Sequence, residues 1–131
     1  MKLSEAMMLP TDMRFNPTYY IQDGCGCLLG QAFNVATGEQ RFTNPEQIGR
    51  LWPWILEKRF LCPSAVARGR EGLTTISSGP HTAERIITRW AFLVKADLAT
   101  REQVADWVRS VEPAEPAQEQ VCELVCTETT V

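Results

Sequence analysis

Two cysteines and one histidine are the residues of this chain best suited to covalent chemistry. Cys25-Gly26-Cys27 stands immediately before a segment of helical spacing. The unpaired N–H groups of a helix start favour a thiolate over a thiol, so a nucleophilic or redox cysteine could be built there. His81 is the sole histidine. A thiol enzyme would have to pair it with Cys25 or Cys27, or with Cys62, and nothing in the spacing brings it to any of them. The competing use of a cysteine ahead of Leu28-Leu29 is core packing, since cysteine is among the most buried residue types. A zinc site would draw four ligands from the five cysteines, His81 and the carboxylates. Cys122 and Cys126 have i, i+4 helical spacing, but the close Cys-x-x-Cys knuckle is missing, so the expectation is no metal and no cofactor.

Two further sets could bind rather than react. Arg68 and Arg70, with Arg85 and Arg89 on the next helix, form a candidate anion or phosphate patch, against the commoner reading of a solvated charged face. Trp52, Trp54, Trp90 and Trp107 fall at helical positions and serve as core or as a dimer interface, the latter being the candidate interaction site. The chain has no phosphate-binding Gly-rich loop, no Gly-x-Ser-x-Gly elbow and no His-Glu-x-x-His.

The elements that must position these residues are read most clearly between Thr82 and Val111. Ile86, Trp90 and Leu93 make one apolar row, widened by Ile87 and Val94. Val104, Trp107, Val108 and Val111 make a second, leaving Arg101, Glu102, Asp106 and Arg109 to water. Thr100 with Gln103 three residues on is a capping box. Upstream, Ser4 and Glu5 open a short helix whose buried side is Leu3, Met7 and Met8, closed by Pro10. Thr18 to Ile21 has strand bias and Asp23-Gly24 turn chemistry, which predicts at most a small hairpin.

A helix is expected over 27–37, ended by Gly38, with Gly30 and Ala32 allowing close helix packing. Asn44-Pro45-Glu46-Gln47 starts another, interrupted at Pro53. An apolar cluster, Trp52, Trp54, Ile55, Leu56, Phe60 and Leu61, surrounds the interruption. Residues 64–81, broken by Gly69, Gly72, Gly79 and Pro80, read as a long loop.

One domain is expected from 131 residues. The net charge of −3 is uneven: residues 112–131 hold five glutamates and no basic residue, so residues 1–111 carry 13 basic against 11 acidic groups. The near-neutral body lacks the concentrated excess typical of nucleic-acid binders. The chain divides into a helical domain, 1–111, and an acidic tail, 112–131, flexible or packed on a partner subunit. Within the tail Val121, Leu124 and Val125 share one helical side. No apolar run could span a bilayer, Met1 to Pro10 has no secretory pattern, and an odd number of cysteines fits reduced thiols. These features predict a cytoplasmic protein.

Met1-Lys2-Leu3-Ser4-Glu5-Ala6, Cys27-Leu28-Leu29-Gly30-Gln31-Ala32, Cys62-Pro63 and Thr100-Arg101-Glu102-Gln103-Val104-Ala105-Asp106-Trp107-Val108 carry a resemblance. In these blocks, scattered over residues 1–111, the chain resembles a group of small uncharacterised bacterial proteins that begin and end with similar helices. Many of those have a finger-like Cys-Pro-x-Cys knuckle and a His-Leu-Asn-x-x-x-His stretch. Here Ala65, Phe92 and Asp97 stand where three of those ligands would be. The resemblance therefore implies a finger-like fold in which apolar packing has replaced the metal.

The combined expectation is a mainly α, compact small helical domain with a minor β-hairpin, from a bacterium or a mobile element. It would act as a non-catalytic protein-interaction or adaptor module, most simply a homodimer. The alternatives are a nucleic-acid-binding regulator using the four arginines and a thiol-dependent enzyme.

Overall fold

The Asp23-Gly24 turn organises the first half of the fold. Both residues have positive φ, 49° and 81°, the conformation that joins two strands with their natural twist and that Asp and Gly tolerate best. The turn folds β2 (Ile21–Gln22) antiparallel onto β3 (Cys25–Gly26). The structure, a computed structural model, describes residues 1–63, 66 and 79–114.

Two more strands join this hairpin. β1 (Arg14–Phe15) runs parallel to β3, and β4 (Phe42–Thr43) runs antiparallel to β2, giving the order β1-β3-β2-β4. Beyond the turn, the Asp23 and Gly24 N–H groups donate to the Arg41 and Gln40 carbonyls, both at 2.9 Å. A second, two-stranded sheet pairs β5 (Arg59–Leu61) with β6 (Pro80–Thr82). The chain is thus an α/β mixture, which overturns the mainly helical expectation with its single minor hairpin. The physical reason is strand length: two or three residues show no period-2 pattern, and their partners lie up to 23 residues away in sequence.

The helices follow their local signals. α1 (Leu3–Met8) buries Leu3, Ala6 and Met7, whereas Met8 faces outward. α2 (Leu28–Thr37) ends at Gly38, whose φ of 85° lets its N–H reach the Asn34 carbonyl. α3 (Pro45–Leu51) starts at Asn44, whose side chain accepts from the Gln47 N–H. Pro53 separates α3 from α4 (Trp54–Glu57). α5 (Ala83–Lys95) is capped by Thr82 and α6 (Arg101–Val111) by the Thr100–Gln103 box.

The core lies where α1 packs on α2 and α6, and where α5 packs on α2 and α4. Gly30 brings α2 down onto β2, not onto another helix as expected: a Cβ there would sit 1.5 Å from the Tyr20 carbonyl oxygen. No helix among the described residues is long and apolar enough to cross a membrane.

Arg101 departs from its expected place in water. Its guanidinium donates to the Met7 carbonyl (3.3 Å) and to Gln31 Oε1, and lies 5.9 Å from the centre of the Phe15 ring. Gln31, itself buried, donates to the Met13 carbonyl at 2.9 Å. One buried polar network therefore ties α6, α1, α2 and the segment entering β1. Burial lowers the Arg101 pKa from its ordinary value.

Candidate functional site

Cys27 is the residue just before α2, as its sequence suggested. Two opposing effects act on its thiol. The Leu29 and Gly30 N–H groups at the helix start favour the thiolate, while burial disfavours any charge. Burial wins and pushes the thiol up to about 11. Cys27 is therefore protonated at neutral pH and only 1 % exposed, the opposite of what a nucleophile requires. Cys25, on β3, is half-buried. His81 lies in the other sheet, on β6, directly across from Phe60.

Close to Cys27 the fold builds a polar pair that no local pattern signals. Tyr20 Oη donates to Glu84 Oε2, linking the strand-side backbone to the first turn of α5. Burial first, then this bond and the Glu84 charge, hold the Tyr20 phenol above its ordinary 10.0. Arg89 opposes that shift, so it shares the neighbourhood. Its Nε is shielded from solvent and has no hydrogen-bond partner among the described residues. Arg85, one turn earlier, is exposed. Arg68 and Arg70 lie outside the described residues, as do Cys122, Cys126 and the tail beyond Ala114. Among the described residues, no group of three or more His, Cys, Asp or Glu could hold a metal ion.

The tryptophans form a wall behind a surface. Trp52, Trp54 and Trp90 are buried and Trp107 is half-buried. Trp54 meets Phe60 edge-on at 6.0 Å, Phe60 meets Trp107 edge-on at 5.9 Å, and Trp107 tilts against Trp90 at 6.1 Å. The Trp90 indole N–H is shielded and finds no hydrogen-bond acceptor among the described residues, whereas Trp52 Nε1 donates to the Met1 carbonyl at 3.0 Å.

What this wall holds in place is β5. A strand sends successive side chains to opposite faces, so once Phe60 is locked against Trp54 and Trp107, Arg59 and Leu61 must point away. Leu61 is 75 % exposed, and its cross-strand partner Pro80 is exposed too. Reading Phe60 and Leu61 as one apolar cluster missed this, because the alternation appears only when residues 59–61 are known to be a strand.

Leu56 folds over Gly49 of α3 and stays 39 % exposed, as does Leu51. Leu51 also lines a surface cleft of about 320 Å³ with Phe33, Gln47 and Arg50. Lys58 and Arg59 are exposed beside these leucines, and Arg50 makes only a solvent-facing pair with Glu46 at 3.3 Å. Three outward leucines and three cations thus fall within residues 50–61. A second cleft, about 440 Å³, is lined by Met8, Glu102, Ala105, Asp106 and Arg109 and is mainly charged.

The fold defines an α/β domain whose α3–α4–β5 stretch carries exposed leucines together with Arg50, Lys58, Arg59 and Glu57. No family model, curated protein or solved structure matches the chain.

Proposed function

We propose that this chain is a non-catalytic protein-interaction module that binds a protein partner on the α3–α4–β5 corner. The observation that carries the reading is Leu61, 75 % exposed on a strand whose opposite face is fixed by aromatic packing. A large apolar side chain held rigidly outward loses little conformational freedom when a partner covers it. Leu51 and Leu56 extend the apolar surface, and Lys58 and Arg59 favour a partner with acidic groups beside its apolar ones. The protonated, buried Cys27 supports binding over thiol catalysis.

The first partner to test is a second copy of the chain, by sedimentation over a wide concentration range. The expected result is a mass that rises with concentration in the wild type and stays monomeric in Leu61→Glu. Leu98→Glu, an exposed leucine after α5, is expected to behave as wild type. A mass that rises equally in Leu61→Glu, or never rises while candidate protein partners also fail to bind, would overturn the reading.

A further inference from the structure

The chain continues for seventeen residues beyond Ala114, and their chemistry complements the corner described above. Residues 115–131 carry four glutamates, no lysine and no arginine. They also carry Val121, Leu124 and Val125 at spacing i, i+3, i+4. The corner offers a partial converse, Leu51, Leu56 and Leu61 outward among Lys58, Arg59 and Arg50, the last paired with Glu46, with Glu57 as the one exposed carboxylate between Leu51 and Leu61. We infer that the acidic tail, residues 115–131, docks on the α3–α4–β5 corner of its own chain and covers the partner surface. This rests on the function proposed above for the meaning of the cover, but not for the contact itself.

The route out of the body supports docking within one chain. Glu112 accepts from the Ser4 N–H (3.2 Å) and from the Ser4 hydroxyl, which fixes the end of α6 against the start of α1. Three residues before Ser4, the Met1 carbonyl accepts from Trp52 Nε1, the neighbour of Leu51. One turn before Val111, Trp107 touches Phe60 of β5. The tail therefore leaves the body beside the start of α1, and from there it has to pass to the face of β5 opposite Phe60, where Leu61 points. Extended, the ten peptide steps from Ala114 to Leu124 reach ~33 Å, ample for that corner.

Tethering also compensates for a weak contact. A short linker gives an effective concentration in the millimolar range, so an affinity of ~1 mM for the separate segment is enough for about half occupancy. A partner must then displace the tail, and the partner that does so best shares its chemistry, an apolar and acidic segment.

The test uses the full chain with a nitroxide on Cys126. Cys25→Ser, Cys62→Ser and Cys122→Ser remove three of the other thiols, and the fourth, Cys27, is buried. Amide signals are compared in two mixtures. In one, isotope and nitroxide are on the same molecule, diluted in unlabelled chain; in the other they are on different molecules.

The expected result is that amides of Arg50, Leu51, Leu56, Arg59 and Leu61 lose most of their intensity in the first mixture only. The loss is relieved by Leu61→Glu or Leu124→Glu, and weakened at about 1 M salt, where charges are screened beyond ~3 Å. Unchanged intensities at those amides would overturn the inference, as would broadening only in the second mixture, which would place the tail on another copy. The readout within one chain stands apart from the function: a body that never binds a partner can still show the broadening. A partner-binding body can equally lack it.

Discussion

Gly30→Ala separates what helix propensity predicts from what this fold allows. In an isolated helix the change gains about 1 kcal/mol. Here the added Cβ would lie 1.5 Å from the Tyr20 carbonyl oxygen and 2.5 Å from its carbon. Ordinary contact needs ~3.5 Å, so helix and strand must part by roughly 2 Å. Both sides of the clash are backbone, and no side-chain rotation relieves it.

Overpacking of this kind costs about 1–3 kcal/mol or more. Parting also strains the bond from the Cys27 N–H to the Tyr19 carbonyl, 2.8 Å long, for about another 1 kcal/mol. With the propensity gain subtracted, the expected loss is about 1–3 kcal/mol. For a urea slope of about 2 kcal/mol per molar, the unfolding midpoint falls by about 0.5–1.5 M.

Two other glycines calibrate the measurement. In Gly38→Ala the Cβ meets nothing within 4 Å, but φ is 85°, so the cost is the left-handed strain of about 1–2 kcal/mol. In Gly49→Ala the Cβ meets Leu56 Cδ1 at 2.3 Å, the free end of a partly exposed side chain that can turn away. That variant is expected within about 0.5 kcal/mol of wild type. Urea unfolding followed by tryptophan fluorescence gives all three midpoints. A Gly30→Ala protein as stable as wild type would refute the seating of α2 on the Tyr20 carbonyl.

Two further outcomes follow from buried polar groups. Arg101→Ala is expected to cost about 1–3 kcal/mol in urea unfolding, because Gln31 Oε1 and the Met7 carbonyl lose a donor in a partly buried site, and Arg101→Lys is expected to recover only part of it; a loss under about 0.5 kcal/mol would place Arg101 in solvent after all. Cys27 gives a pH signature: its folded pKa of about 11 exceeds the ordinary 9.0, so above pH 9 the unfolded chain sheds the proton that the folded one keeps. Stability is then full below pH 9 and falls between 9 and 11, by about 2–3 kcal/mol in all, and Cys27→Ala removes that part of the slope. An identical alkaline slope in Cys27→Ala would contradict the burial of the thiol.

Local residue chemistry sets the ends of the elements. Asn44, Thr82 and Thr100 start helices, Gly38 ends one and Asp23-Gly24 turns a hairpin, because each acts on backbone groups within about four residues of itself. Helical stripes were legible for the same reason: Ile86, Trp90 and Leu93 repeat often enough to reveal their period and are buried as that period requires.

The pairing of two-residue strands, by contrast, rests on partners elsewhere in the chain, as when Gln22 meets Phe42 and Phe60 meets His81. So do the inward Arg101 and the outward Leu61: local pattern made the first polar surface and the second core. Tertiary structure reversed both, and for Cys27, which local pattern left between core packing and a thiolate, it supplied the burial, because desolvation and strand facing are set by what packs alongside, and only folding brings those neighbours into contact.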